Sequence, residues 1–282
     1  MRRGTALVTG SSSGFGLRTC VALCARGFKV YASMRELGRA GELRRALQAS
    51  GFGSERVEFV TLDVTDADQR EALVEQILDA EGAVDVLVNN AGQMLTGFAE
   101  ELDEAALRAQ FEVNFFGLVR LTQALLPAMR ERRHGRVINV SSIVGRSAIP
   151  GHAGYCASKF ALEGWSESLR YELVPFNVFV CLVEPGLFPT QIFARNRNQV
   201  ESEPGSVYGR LKTGLDAGTR QLQKLLARAD PDDVAQVIAK LALAERPRLR
   251  HLVGVDAWIG ALASGPATQA WWEARMIQLF QR

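Results

Sequence analysis

Polar and apolar positions fall into two alternating rhythms along this chain. Short apolar runs rich in β-branched residues occupy 5–9, 29–33, 57–62, 85–89, 136–140 and 177–183. Nearly continuous apolar runs of that length predict strands covered on both faces. Between them, 18–26, 66–80, 105–132 and 157–173 carry helix-like patterns, with one face on a core. Strands that alternate with helices are joined by crossovers. The pattern therefore predicts an α/β, Rossmann-type doubly wound parallel sheet with helices on both faces, in one domain spanning 1–282. From 185 to 230 the rhythm loosens into mixed glycine, proline and charge. That stretch is too long for an ordinary connection and predicts a substrate-binding lid at about 187–228, or a disordered loop.

Composition narrows the field. With 47% hydrophobic and 23% charged residues, disordered and collagen-like chains are excluded. Lys and Arg number 33 against 31 Asp and Glu, so no footprint for nucleic acid stands out. Arginines cluster at Arg130, Arg132, Arg133 and Arg136 and at Arg246, Arg248 and Arg250. Without interleaved aromatics they read as helix-end or loop charges. Cys20, Cys24, Cys156 and Cys181 form no C-x-x-C pair and no metal-ligand spacing, which suits free thiols in a reducing compartment. There is no signal-peptide pattern and no apolar run of membrane-spanning length, so a cytoplasmic protein is expected.

The end of the first strand carries the first candidate chemistry. Thr9-Gly10-Ser11-Ser12-Ser13-Gly14-Phe15-Gly16 leads directly into a helical run. Glycines at a strand-to-helix turn let the backbone approach a pyrophosphate, and the helix N-terminus offers free N–H groups and partial positive charge. The second strand ends in Ala32-Ser33-Met34-Arg35, with an arginine and no acid. An acid there would hold a ribose 2′-hydroxyl, whereas an arginine accommodates a 2′-phosphate. Arg35, with Ser12 or Ser13 as a second contact, therefore points to NADP(H) rather than NAD; the plainer alternative is a surface arginine at a strand end.

Ser142 precedes Tyr155-x-x-x-Lys159 with twelve residues between the serine and the tyrosine. On a helix, residues four apart share a face, so the Lys159 ammonium can sit beside the Tyr155 phenol. A unit charge at about 4 Å and an effective dielectric of about 20 is worth roughly 4 kcal/mol, or about 3 pK units. That would bring the phenol near neutrality, where proton transfer is most effective. Alone, the spacing equally describes a helix with one packed tyrosine and one exposed lysine.

Taken together these residues resemble the short-chain dehydrogenase/reductase family. The pattern appears in order along nearly the whole chain: Thr9 to Gly16, Asp63, Asn89-Asn90-Ala91-Gly92, Asn114, Ser142, Tyr155, Lys159 and Pro185-Gly186. The resemblance implies that Asp63 and Val64 hold the adenine and that Asn90, Ala91 and Gly92 run beside the adenosine. Asn114 would kink its helix and bind a water leading to Lys159. Ser142 would orient the substrate oxygen, Tyr155 exchange the proton, and Lys159 hold the nicotinamide ribose. Pro185, Gly186 and Thr190 would pack against the nicotinamide. A homodimer or homotetramer through the long helices is also implied.

Segments 32–36, 114–120, 157–164 and 182–186 are similar to the branch of the family that contains 17β-hydroxysteroid dehydrogenase type 1 and photoreceptor retinol dehydrogenase. The chain departs from the family at Phe15, where a small branched residue is usual, and 187–228 matches no steroid-binding pattern. Framework segments therefore suggest ancestry without assigning a steroid or retinoid. Met94, Leu95, Phe98, Ile143, Ile149, Leu187, Phe188, Ile192 and Phe193 are the expected apolar walls, which favours a lipophilic ketone or alcohol. His152, three residues before Tyr155, is expected in solvent, with contact to substrate the alternative, and the tail from Trp271 to Phe280 as a helix docked on the body or on a partner subunit rather than attached to a membrane surface. No metal is needed. An NADPH-binding sensor or scaffold without turnover is the alternative in a different class, since fold does not fix function.

Overall fold

Every strand predicted from the apolar runs enters one parallel sheet. The computed structural model describes residues 3–53, 55–190, 197–200, 205–209, 211–215, 229–263, 265 and 267–280. Its first half runs β1 (Gly4–Val8), α1 (Gly14–Ala25), β2 (Phe28–Met34), α2 (Gly41–Ala49), β3 (Val57–Thr61), α3 (Ala67–Glu81) and β4 (Val86–Asn89). Next come β5 (Met94–Thr96), α4 (Glu104–Phe111), α5 (Gly117–Glu131), β6 (Gly135–Val140), α6 (Ala153–Leu173) and β7 (Val178–Pro185). The C-terminal part supplies β8 (Arg197–Gln199), α7 (Pro231–Leu243), β9 (Arg250–Val253), α8 (Val255–Ala263) and α9 (Gln269–Phe280).

The main sheet has the order β3-β2-β1-β4-β6-β7-β9, all parallel. Chain direction across the sheet reverses between β1 and β4, and at such a switch point the strand ends leave a crevice. Alternation along the strands divides the core. Ala6 and Val8 of β1 pack on one side with Leu23 of α1 and Ile238 of α7, while Leu7 packs on the other with Leu121 of α5 and Leu162 of α6. A period of two in a doubly covered sheet thus produces two apolar layers.

Three local features differ from the sequence expectation. The helical stretch 105–132 is interrupted by a π-helical turn, Glu112–Phe116, centred on Asn114. Helix α6 starts at Ala153, four residues earlier than its apolar period suggested, which puts Tyr155 in the first turn. Strand β9 is not marked by the apolar runs, because it is an edge strand with polar residues and a half-buried pattern. Not all the clustered arginines are helix-end or loop charges. Arg136 lies within β6, 5% exposed, and donates from Nε and Nη2 to Ala244 O at 3.0 and 2.8 Å. Arg250 lies in β9 and pairs with Glu163, Glu167 and Glu184. Buried acceptors and carboxylates hold these two, whereas charge spacing along the chain marks only their neighbours.

Of the expected lid, 187–190, 197–200, 205–209 and 211–215 fall within the described residues, and Ile192 and Phe193 lie outside them. Strand β8 pairs with β5 in a small second sheet. Farther along, Tyr208 stacks on Phe98 with centroids 4.5 Å apart and donates to Glu100 Oε2 at 2.7 Å. No helix among the described residues is long and apolar enough to cross a membrane.

Candidate active site

A cavity of about 600 Å³ follows the C-terminal strand ends, and most of the singled-out residues meet there. Its floor on one side is Gly10, Ser12, Ser13, Gly14 and Phe15, with Arg35, Asp63, Val64, Asn90, Ala91 and Gly92 around them. Gly10 has φ +69, and a Cβ there would stand 2.9 Å from Ala91 Cα. Only glycine fits that conformation and that approach. Gly16 lies behind the wall, where a Cβ would run into Gly10 O and Asn90 Nδ2. The turn is locked to β4: Asn90 Nδ2 donates to Thr9 O at 2.8 Å and Gly10 O at 3.1 Å, and Thr9 Oγ1 accepts from both Asn90 N and Ala91 N at 2.9 Å. Ser13 caps α1 in an extended conformation with no side-chain cap bond. The helix N-terminus is thus left facing the cavity, an arrangement fit for a phosphate.

Across the cavity, Ser142, Tyr155 and Lys159 line it with Pro185, whose carbonyl accepts from Ser142 Oγ at 3.5 Å; Gly186 and Thr190 line the same cavity, Thr190 lying beside Gly14. Ser142 Oγ accepts from Val144 N at 3.3 Å, which seats it at the start of a single 3-10 turn. Lys159 Nζ donates to Val140 O at 2.9 Å and lies 5.8 Å from the Tyr155 ring centroid. The charge expectation needs correction here. Burial pushes the Tyr155 phenol up, Cys156 adds to the rise, and the hydrogen bond with Ser142 opposes it. Burial also pushes the Lys159 amine down to about 8. Both groups are out of water, so loss of solvation outweighs the attraction expected from their spacing. In this state Tyr155 is a protonated acid at neutral pH.

Asn114 is fully buried behind the same wall. Its Oδ1 accepts from Gln93 N at 2.9 Å, and its Nδ2 donates to Gln93 O at 2.9 Å and Ser158 Oγ at 3.1 Å. The side chain thereby ties the π-helical turn to the loop after β4 and to α6. These bonds link it to the helix that carries Lys159 without touching the amine itself.

A family model described as short chain dehydrogenase matches residues 4–201. This chain belongs to the short-chain dehydrogenase family. Retinol dehydrogenase 8 of Bos taurus is 39% identical over 255 residues, covering 88% of this chain and 80% of that protein. The human 17-beta-hydroxysteroid dehydrogenase type 1 is 38% identical over 262 residues, covering 89% and 77%. A single-site variant of actinorhodin polyketide ketoreductase, solved with NADPH, superimposes with a TM-score of 0.77 at 29% identity, over 92% of this chain and 99% of its own. As a short-chain dehydrogenase the protein is an oxidoreductase, and its relatives include the retinol and 17β-hydroxysteroid branch that its framework segments resemble.

The short-chain dehydrogenase pattern does not account for every residue in the cavity. Met94, Ile143, Ile149, Leu187 and Phe188 line it as expected. Leu95 and Phe98 do not: Leu95 packs beside Gly154, and Phe98 is taken up by Tyr208. His152 reaches the wall with Nδ1 2.9 Å from Pro150 O. Arg39 lines the cavity with Arg35 as a second cation, pairing with Glu36 at 3.3 Å. Asp256, at the start of α8, accepts from Leu187 N at 2.5 Å through Oδ2 and packs against Gly186. Ile259, Gly260 and Trp272 complete the far side. The helical period around Trp271 predicts the helix, but nothing local tells that Trp272 lines the cavity.

Proposed function

We infer that the protein interconverts a carbonyl and an alcohol on a lipophilic small molecule, using NADP(H). The observation that carries this reading is that one cavity joins the Gly10–Phe15 turn and Arg35 to Ser142, Tyr155 and Lys159. Arg35, directly after β2, suits a 2′-phosphate, with Arg39 beside it in the cavity though paired with Glu36, and a solved relative holds NADPH. Gly92, Asn90, Asp63 and Val64 would lie along the adenosine, and Pro185, Gly186 and Thr190 along the nicotinamide. The bound cofactor supplies the hydride.

The rest falls to the chain's own side chains. Ser142 Oγ and the Tyr155 hydroxyl donate to the substrate oxygen as negative charge develops there, which is where stabilisation speeds a reaction. Burial keeps the Tyr155 proton in place for delivery during reduction. Lys159, anchored on Val140 O and 5.8 Å from the Tyr155 ring centroid, would hold positive charge near the phenol and bind the nicotinamide ribose. Asn114 fixes the loop carrying Gln93 and, through Ser158, the first turns of α6. The apolar remainder of the cavity favours a hydrocarbon frame around the reacting oxygen. Phe116 in the π-helical turn and Phe160 on α6, 40% and 45% exposed, suit burial in a homo-oligomer, which mass measurement in solution would detect.

Oxidation of NADPH followed at its absorbance band against a panel of lipophilic ketones tests the reading. Turnover is expected from at least some of them. Tight NADPH binding with no turnover across the panel would instead make the protein a sensor or scaffold.

A further inference from the structure

Asp256 is the one charged residue of α8, and its side chain reaches to a distant segment. An acid in the first turn of a helix ordinarily complements the free N–H groups of that turn. Here Oδ2 accepts from Leu187 N at 2.5 Å, 69 residues away along the chain. The carboxyl is seated between two glycines. A Cβ on Gly186 would run into its Oδ1, Cγ and Oδ2, and one on Gly254, where φ is +102, would stand 2.8 Å from Oδ1. Neither position has room for a side chain while Asp256 is in place.

Leu187 belongs to the segment 186–190 that follows β7 along the cavity, and the C-terminal arm grips that segment at successive residues. Gly186 N donates to Val253 O at 2.9 Å and Leu187 N to Asp256, while a Cβ on Gly254 would come 3.3 Å from Phe188 Cε2. From the other side, Phe188 meets Phe15 of the phosphate turn edge-on, with ring centroids 5.6 Å apart. Asp256 supplies the charged acceptor among these holds, and hydrogen bonds to charged groups are the stronger kind.

We propose that Asp256 is a positioning residue for the nicotinamide end of the cofactor. It holds the backbone of 186–188 as a preset surface for the ring, so that ordering this segment costs nothing when the cofactor arrives. It acts through that backbone and not by contact with the reacting atoms. The assignment rests on the NADP(H) reading, in which Pro185, Gly186 and Thr190 lie along the nicotinamide, and adds to it a residue from the C-terminal helices.

Two ligands separate this role from general stability: NADPH, and adenosine 2′,5′-bisphosphate, which carries the adenosine and the 2′-phosphate but no nicotinamide. In titration calorimetry on the full chain, Asp256→Ala should weaken NADPH roughly ten-fold, as loss of one hydrogen bond to a charged acceptor does, and leave the bisphosphate within about two-fold of wild type. Asp256→Asn keeps an acceptor for Leu187 N and should recover most of the loss. Equal losses for both ligands, unchanged NADPH affinity in Asp256→Ala, or no recovery in Asp256→Asn would each overturn the role of Asp256 and leave the cofactor reading standing. If Asp256→Ala does not fold, hydrogen exchange on the wild-type chain decides. NADPH should slow exchange at the Leu187 amide and in the first turn of α8 more than the bisphosphate does, and equal protection by the two overturns the assignment. A wild-type chain that does not bind NADPH overturns the cofactor reading and this assignment with it.

Discussion

The two sides of the cavity are built by different means. On the phosphate side, backbone meets backbone: Gly10 lies against Ala91, and Asn90 clamps the turn through Thr9 O and Gly10 O. On the substrate side the wall is assembled from side chains of distant segments, including Ile149, Leu187, Ile259 and Trp272. At Gly10 and Gly16 the first kind of wall has no room for an added Cβ, which would meet Ala91 Cα or Gly10 O. The second can exchange side chains while the sheet stays put. Binding of a shared cofactor belongs naturally to the first, and choice of substrate to the second.

Breaking the comparison starts with Tyr155, the proposed proton donor. Tyr155→Phe should lower kcat by about 10³-fold or more, within the range for a lost acid-base group, while NADPH titration stays near wild type. A retained wild-type rate would remove Tyr155 from the chemistry. On the backbone wall, Gly16→Ala should destabilise the fold by about 1–3 kcal/mol and weaken NADPH binding, as overpacking does, because the new methyl meets Gly10 O and Asn90 Nδ2. An unchanged melting temperature together with unchanged NADPH affinity would show that the turn yields after all.

Arg35→Asp should move the ratio of NADPH to NADH efficiency roughly ten-fold or more toward NADH, by replacing a cation with a like charge beside the 2′-phosphate. The same ratio in wild type and variant would reassign the 2′-phosphate contact. A gentler perturbation is pH. Burial lowers Lys159 to about 8, so its positive charge is present below that pH and lost above it. The reductive rate should therefore fall as pH rises through about 8, and a profile that stays flat across that range would mean Lys159 is not needed as an ammonium. The smallest effect is expected on the side-chain wall: Ile259→Ala should raise KM by about three-fold, with NADPH affinity unmoved, as loss of part of an apolar contact does. A larger drop in NADPH affinity than in ketone affinity would dissolve the distinction between the two walls.

Much of the first wall was legible in the sequence, because each of its signals is local. A glycine turn between a β-branched run and a helical period, and Arg35 at the next strand end, are read without knowing any long-range contact. The doubly wound sheet follows from the same rhythm, and the observed strand order agrees with it. Strand β9 is not legible, because an edge strand with half-buried polar residues has no distinctive period. Arg136 and Arg250 looked like surface charge because their acceptors, Ala244 O and the carboxylates of Glu163 and Glu184, come from distant segments.

By itself the sequence determined the alternation of strands and helices, the phosphate turn, and the order of Ser142, Tyr155 and Lys159, since periodicity, glycine freedom and i,i+4 spacing are properties of neighbours along the chain. Tertiary structure decided the rest. It buried Tyr155 and Lys159 together, so that the phenol rises instead of falling. It used Asn114 to bind Gln93 and Ser158, and it brought Asp256 against Gly186 and Trp272 into the cavity. Solvation and contact depend on what surrounds a group in space, and the neighbours that matter here lie tens of residues away along the chain.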